Sequence, residues 1–184
     1  MEKVMILTGA GQIGMAIARR TGTGMKIVIG DKIPENAEKV SKTMNEAGFD
    51  TIGMEMDLCS RESIRSLIEE AKTYGAITML VNAAGVSPSQ APVESILKAD
   101  LYGTAVLLEE VGKVIAPGGV GMTISSQSGH RMPALTPEED EQLACTPTQS
   151  SWSFRFSSRK ISGIRFMPIS WRKGAMKSGL WRNP

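Results

Sequence analysis

Two adjoining stretches near the N-terminus decide the fold: residues 3–8 read KVMILT and residues 9–14 read GAGQIG. The first is an apolar run with the length of a buried strand. The second places glycines in the spacing G-x-G-x-x-G, and apolar side chains then recur at helical intervals. Between a strand and a helix this spacing predicts a dinucleotide site, because the three glycines permit a tight turn, close approach of a pyrophosphate and helix–strand packing. The phosphates are expected at the N-terminus of the helix, where N–H groups and the helix dipole favour negative charge. The residues of this turn that we expect to contact the dinucleotide are Gly9, Gly11, Gln12, Ile13 and Gly14.

Strands and helices alternate from this point to about residue 126. The sequence predicts four further strands, over residues 25–30, 51–56, 78–82 and 120–125, with helices between them. Pro34 suits a helix start, Ser60 suits an N-cap, and a long helix is predicted over residues 93–115. Alternation of this kind produces right-handed βαβ units. We therefore predict an α/β fold: a Rossmann-like, doubly wound parallel sheet with helices on both faces, incomplete at its C-terminal edge.

Asp31 stands at the end of the second predicted strand. A carboxylate at this position can accept hydrogen bonds from both hydroxyls of the adenosine ribose, and it repels a 2′-phosphate. The neighbouring Lys32 works against that repulsion. The predicted cofactor is therefore NAD, with NADP less favoured.

Composition excludes several other classes of protein. With one histidine and two cysteines in 184 residues, Ser-His-Asp catalysis and His-based zinc chemistry are disfavoured, and no metal site is predicted. No apolar run is long enough to span a bilayer and no signal-peptide pattern is present. We expect a cytoplasmic protein that does not bind membranes.

The chain changes character near residue 149. Residues 149–184 contain eight Lys and Arg but no Asp or Glu, whereas residues 1–148 contain 13 basic and 19 acidic side chains. All three tryptophans lie in the basic part, and neither helical nor strand periodicity persists there. We predict a nucleotide-binding domain over residues 1–148 and an irregular basic tail over residues 149–184, disordered or read out of frame.

Taken together, the motifs resemble the short-chain dehydrogenase/reductase family over about residues 3–130. The segments that carry the resemblance, in chain order, are Thr8–Gly14, Asp57-Leu58, Asn82-Ala83-Ala84-Gly85, Asp100-Leu101-Tyr102-Gly103-Thr104 and Ile124-Ser125-Ser126. The resemblance implies that Asp57 and Leu58 lie against the adenine, that Asn82, Ala83, Ala84 and Gly85 line the cofactor, and that Ser126 binds the substrate carbonyl. It also implies hydride exchange between NAD(H) and a small carbonyl or secondary alcohol, and a possible homo-oligomer.

Two positions depart from the family pattern. Asp100 stands where the family has a catalytic-site asparagine, and a carboxylate has no amide N–H to donate. The family's Tyr-x-x-x-Lys pair, its general acid/base and the lysine that supports it, is absent, since neither Tyr74 nor Tyr102 is followed by lysine at that interval. The resemblance thus implies an oxidoreductase whose activity is impaired in this chain. The alternative is a non-catalytic nucleotide-binding module.

The tail itself allows two readings. Shifting the reading frame across residues 167–173 forces the first alanine and permits Ala-Tyr-Gln-Leu-Ala-Lys, which is similar to the family's Tyr-x-x-x-Lys helix. We therefore hypothesise a frameshift after about residue 148 that truncates the family domain. The alternative takes the tail as a binder of single-stranded nucleic acid through its cations and aromatic rings. We expect no nucleic-acid partner, because basic tails are more often simply solvated.

Overall fold

A computed structural model describes residues 2–126, 134–145, 148 and 180–182 of the chain. The strands are β1 Lys3–Thr8, β2 Lys26–Asp31, β3 Asp50–Glu55, β4 Ala76–Asn82, β5 Val120–Thr123 and β6 Leu180–Arg182. The helices are α1 Gln12–Thr21, α2 Pro34–Glu46, α3 Arg61–Tyr74, α4 Val93–Ile96, α5 Thr104–Gly112 and α6 Pro137–Cys145, with a π-helical stretch over Leu97–Gly103. Within these ranges no helix is long and apolar enough to cross a membrane. The remainder of the basic tail, with the hypothesised frameshift at residues 167–173, lies outside the described residues.

The first five strands form a parallel sheet in the order β3-β2-β1-β4-β5, which confirms the predicted Rossmann-like architecture. The chain builds outward from β1 to β3 and then returns to the other side of β1 for β4. The direction of winding therefore reverses between β1 and β4. In open α/β sheets a crevice opens at such a reversal, at the carboxyl ends of the strands, and ligands bind there.

Helices cover both faces of the sheet, as predicted. On one face, α3 and α5 bury apolar side chains such as Ile64, Leu67 and Val106 against Val4 and Ile6 of β1. On the other face, α1 and α2 pack on the alternate strand residues, among them Met5 and Leu7. Burial on both faces explains why the strands read as continuous apolar runs instead of alternating ones.

The long helix predicted over residues 93–115 is interrupted. Its central turn, Leu97–Gly103, is π-helical and joins α4 to α5. The turn ends where the helix approaches another backbone, since a Cβ atom on Gly103 would lie 2.4 Å from the carbonyl oxygen of Leu58. The hydrophobic periodicity of the sequence does not reveal a π-helical turn within a predicted helix. Turns of this type are frequent at functional sites.

Two elements after residue 126 were not predicted. Pro137–Cys145 is a helix, in a stretch for which the sequence analysis predicts no element. Thr136 and Glu139 exchange hydrogen bonds, the Thr136 hydroxyl accepting from the Glu139 N–H and a Glu139 carboxylate oxygen accepting from the Thr136 N–H. The sequence contains the pattern of this capping box, Thr-x-x-Glu, at residues 136–139. The second element, β6, pairs antiparallel with β5, so the sheet is not parallel throughout.

A group of charged side chains, the α3–α5 cluster, joins two helices on one face of the sheet. It comprises Arg61 and Arg65 from α3 with Glu109, Glu110 and Lys113. Glu110 is 7% exposed and also accepts a hydrogen bond from Arg65 Nε at 3.1 Å. The hydrogen bonds from Arg65, Lys113 and Arg61 lower the pKa of Glu110 to about 2. Hydrogen bonds from Arg61, Thr148 and Lys113 lower the pKa of Glu109 equally far.

We expect Glu110→Gln to destabilise the fold by about 2 kcal/mol at neutral pH, because it removes buried charge-assisted hydrogen bonds. A carboxylate whose pKa is lowered on folding stabilises the native state above its unfolded pKa, and that contribution is lost as the pH falls from 4.5 through about 2. Thermal unfolding across this range should therefore be less acid-sensitive in the variant. Glu69, which is largely exposed and pairs with Lys72, is the matched control. An equal effect of Glu69→Gln would contradict the expectation.

Candidate active site

Chemistry-bearing residues collect at one edge of the sheet. Thr8, Asp31 and Asn82 end β1, β2 and β4, while Asp57 and Ser126 follow β3 and β5. Parallel strands place all these termini at the same edge. The structure therefore brings these five residues to one edge of the sheet, where the crevice above β1 and β4 is expected, although they are distributed over more than a hundred positions of sequence.

The glycine turn divides into buried and open positions. Gly9 has a φ of 88° and its Cβ would lie 2.6 Å from the N atom of Ala84, while a Cβ on Gly14 would lie 2.6 Å from the carbonyl oxygen of Gly9. Both glycines are required by contacts within the protein. A Cβ on Gly11 would meet nothing within 4 Å. This residue is the N-cap of α1, and no side chain caps the helix there.

The exposed start of α1 therefore has the properties of an anion site. Gly11 and Gln12 are exposed, as is Ile13, whose side chain is 59% accessible. The N–H groups of a first helical turn lack partners within the helix and attract negative charge. The open space above Gly11 admits a phosphate group to the backbone, so the residues present fit the pyrophosphate of a dinucleotide.

Asp31 has a structural role that the sequence did not reveal. Its Oδ2 accepts a hydrogen bond from the N–H of Ala10 at 2.7 Å, and its Oδ1 accepts one from the N–H of Ile33 at 2.9 Å. The carboxylate thereby ties the end of β2 to the glycine turn. Two carboxylate oxygens offer about four acceptor positions, so the group can still accept hydrogen bonds from hydroxyls of a ligand.

The loop after β3 turns one side chain outward and one inward. Asp57 is half-buried, and its Oδ1 accepts a hydrogen bond from the N–H of Cys59 at 2.8 Å. Its own N–H donates to Ser63 Oγ at 2.9 Å. Leu58 is 6% exposed and belongs to the core under α3 and α5. Of this predicted pair, only Asp57 directs its side chain to the crevice, while Leu58 anchors the loop.

Asn82 bridges two strands and a helix. Its Oδ1 accepts a hydrogen bond from the Thr8 hydroxyl at 2.7 Å, and its Nδ2 donates to Thr104 Oγ1 at 3.2 Å. All three side chains are buried. The next residue, Ala83, donates its N–H to the Thr8 carbonyl at 2.8 Å. Sequence reasoning identified Asn82 but missed both threonines, whose only signal was a hydroxyl residue at a strand end and another within the Asp100–Thr104 segment.

Asp100 extends from the π-helical turn to the segment that follows β4. Its Oδ1 accepts a hydrogen bond from the N–H of Val86 at 2.9 Å and lies 3.1 Å from where a Cβ on Gly85 would stand. Burial raises the pKa of this carboxyl group, and the hydrogen bond from Val86 opposes the rise. Asp100 thus holds the segment that follows Asn82, a task that needs an acceptor oxygen and no amide N–H.

The segment after β5 presents Ser126, which is half-buried, and Ser125, which is exposed. The N–H of Ile124 donates to the carbonyl of Asn82 at 2.9 Å, so this segment lies beside β4. The two tyrosines make structural contacts. The Tyr74 hydroxyl donates a hydrogen bond to Glu70 at the far end of α3, and Tyr102 packs against the core. Neither of them has a lysine four residues on.

We expect Asn82→Ala to lower the free energy of unfolding by about 2–4 kcal/mol, because it leaves a buried donor on Thr8 and a buried acceptor on Thr104 without partners. Chemical denaturation measures the loss. Asn36 is exposed on α2, and Asn36→Ala should change the free energy by less than about 0.5 kcal/mol. Equal losses in the two variants would show that the bridge does not contribute.

Comparison with known proteins agrees with this geometry. A sequence model of the short chain dehydrogenase family matches residues 3–136. The short-chain dehydrogenase/reductase bsc3 of Alternaria brassicicola is 33% identical over 131 residues, covering 71% of this chain and 48% of that protein. The cis-4-hydroxycyclohexanecarboxylate dehydrogenase of Sinomonas cyclohexanicum is 28% identical over 138 residues, covering 69% of this chain and 55% of that protein. The chain thus spans about half the length of the curated relatives it matches.

Solved structures share the fold. A short chain dehydrogenase from Mycobacterium smegmatis superposes with a TM-score of 0.64 at 22% identity, over 72% of this chain and 61% of that one. A short chain dehydrogenase/reductase from Burkholderia phymatum in complex with NAD has a TM-score of 0.63 at 20% identity, over 89% of this chain and 56% of that one. At these identities the likeness concerns the fold alone. From the family match over residues 3–136 together with the crevice geometry, we conclude that this chain belongs to the short-chain dehydrogenase family.

Proposed function

We propose that the chain binds NAD(H) in the crevice above β1 and β4, and that its chemistry is hydride exchange between NAD(H) and a small carbonyl or secondary alcohol. One observation carries the proposal. The open N-cap at Gly11, where a Cβ would meet nothing within 4 Å, lies next to Asp31, which is hydrogen-bonded to the adjoining Ala10 at 2.7 Å. An anion site and a ribose-binding carboxylate are thereby held together in one rigid turn.

The adenosine half of the cofactor belongs over β2 and β3. Asp31 would accept hydrogen bonds from the ribose hydroxyls, and its charge disfavours a 2′-phosphate. Lys32 does not cancel this charge, since its ammonium group is 3.7 Å from Asp57 and the lysine side chain is 73% exposed. Exposed pairs of this kind contribute little. We therefore infer a preference for NAD(H) over NADP(H).

The nicotinamide half belongs over β4 and β5, along Asn82 to Gly85. When bound, the cofactor supplies or accepts the hydride. Ser126 would donate a hydrogen bond from its hydroxyl to the substrate carbonyl oxygen and polarise it. The Burkholderia phymatum protein of the same fold is in complex with NAD, which supports NAD as the ligand.

Proton transfer is where this chain departs from its family. Its 184 residues contain no Tyr-x-x-x-Lys, and the loss of a general acid/base costs roughly 10²- to 10⁴-fold in rate. We propose that turnover by this polypeptide is correspondingly slow. The same absence favours a second candidate function, a nucleotide-binding module without catalysis.

Binding is tested by thermal unfolding with each nucleotide. We expect NAD+ and NADH to raise the midpoint more than NADP+ and NADPH do. Gly11→Ala should fold normally, because its φ of −86° suits alanine and the added methyl group meets no protein atom. It should weaken NAD(H) binding by roughly tenfold to a hundredfold, as overpacking costs about 1–3 kcal/mol. An unchanged affinity in this variant would argue against the pyrophosphate position.

Turnover separates the two candidate functions. We expect hydride exchange with small ketones or secondary alcohols, followed at 340 nm, to be at least roughly a hundredfold below ordinary dehydrogenase rates of about 1–10³ s⁻¹. Ser126→Ala should lower any residual rate without changing NAD(H) affinity. Ordinary rates in the unchanged chain would contradict the proposed impairment, and NAD(H) binding with no turnover would favour the non-catalytic module.

A further inference from the structure

The order of the strands assigns each end of the crevice to one end of a dinucleotide. Asp31 at the end of β2 marks the adenosine side, and the N-terminus of α1 after β1 marks the pyrophosphate. The nicotinamide half of the dinucleotide must therefore lie over β4 and β5, since β4 is next to β1 on the side opposite to β2. Asp100 lies on this side, because its carboxylate contacts Gly85 and Val86 in the segment that follows β4.

Asp100 differs in its surroundings from the other carboxylates at this edge. Asp31 accepts hydrogen bonds from two backbone N–H groups, and Asp57 has the ammonium group of Lys32 at 3.7 Å. Among the residues that the structure describes, Asp100 accepts one hydrogen bond, from Val86. Across the described ranges, the ion pairs of the chain involve other carboxylates and none involves Asp100. Its charge is therefore not neutralised by a neighbouring side chain in that part of the protein.

We propose that the Asp100 carboxylate makes this site selective for the oxidised cofactor, so that NAD+ binds more tightly than NADH. The inference rests on the proposed function. The two forms share their adenosine, pyrophosphate and ribose groups, and they differ in the nicotinamide ring, which carries a positive charge in NAD+ and none in NADH. A carboxylate on the same side of the crevice attracts only the charged ring.

The expected selectivity is modest but measurable. Opposite charges several ångströms apart in a partly desolvated crevice interact strongly enough to change an affinity ratio by on the order of tenfold. The half-buried position of Asp100 reduces screening by solvent relative to an exposed carboxylate.

This selectivity has a chemical consequence. Bound NADH would supply the hydride and its electron pair to the carbonyl carbon, and the reduced oxygen would take a proton from solvent. Asp100 would stabilise the positive charge that the nicotinamide ring then carries. The equilibrium between the bound forms would therefore move towards the alcohol and NAD+.

Equilibrium dissociation constants of NAD+ and NADH, measured for the unchanged chain and for Asp100→Asn at low ionic strength, test the inference. Asparagine retains the oxygen that accepts the hydrogen bond from Val86 but lacks the charge. We expect NAD+ to bind about tenfold more weakly to the variant and NADH to bind with nearly the same affinity. Asp31→Asn is the matched control, and it should weaken both forms by one common factor, because their adenosine groups are identical.

A measurement on the unchanged chain avoids any effect of substitution on folding. Raising the ionic strength from about 0.01 M to about 1 M shortens the Debye length from about 30 Å to about 3 Å. The phosphate contacts common to both forms cancel in the affinity ratio, so salt should reduce the preference for NAD+. An NAD+/NADH ratio that changes neither with Asp100→Asn nor with salt would overturn the inference and leave the proposed function standing. Failure of the chain to bind either form would contradict the proposed function, and this inference with it.

Discussion

The amide group of Asn82 connects the parts of the molecule on which the crevice depends. Through Thr8 it reaches the end of β1, where the glycine turn begins, and through Thr104 it reaches the first residue of α5. Because the three side chains are buried, water cannot replace a lost partner, and each hydrogen bond is costly to break. The bridge therefore sets the position of the glycine turn relative to the segment that carries Asp100.

Close backbone contacts complete this frame. At Gly9 and Gly14 the glycine turn approaches the segment after β4 and itself at distances that no side chain would permit, and at Gly103 the long helical run approaches Leu58 in the same way. Contacts of this kind leave no room for adjustment, since protein interiors are close-packed. Gly11 is the exception, because it faces open space. The crevice is therefore rigid on the protein side and open where a ligand would approach.

The same contacts fix the positions of the charged groups around the crevice. Three carboxylates, Asp31, Asp57 and Asp100, line the strand termini, while the N-terminus of α1 supplies the positive end of a helix dipole between them. This distribution suits a ligand whose negative charge is concentrated at its centre. It is unfavourable for additional phosphates at either end. The ion-paired α3–α5 cluster lies apart from this edge, between two helices, and serves the fold.

The sequence by itself determined the strands, the glycine turn and the carboxylate at the end of β2. These features depend on local properties, namely hydrophobic runs, spacing and the conformational freedom of glycine. They were sufficient for the parallel sheet of β1 to β5. The capping box of α6 is equally local, since the Thr-x-x-Glu spacing is present in the sequence, although no helix was predicted there.

Only the tertiary structure decided how the crevice is held together. The partners of Asn82 are 74 and 22 residues away, and Asp31 is 21 residues from the Ala10 N–H that it accepts. Hydrogen bonds over such separations exist only once the strands are aligned, so no local pattern encodes them. The π-helical turn and the antiparallel β6 belong to the same class, since both depend on what the backbone meets after it has folded. The strand ends predicted from sequence thus carry the candidate site residues, and packing determined which of those residues hold the crevice together.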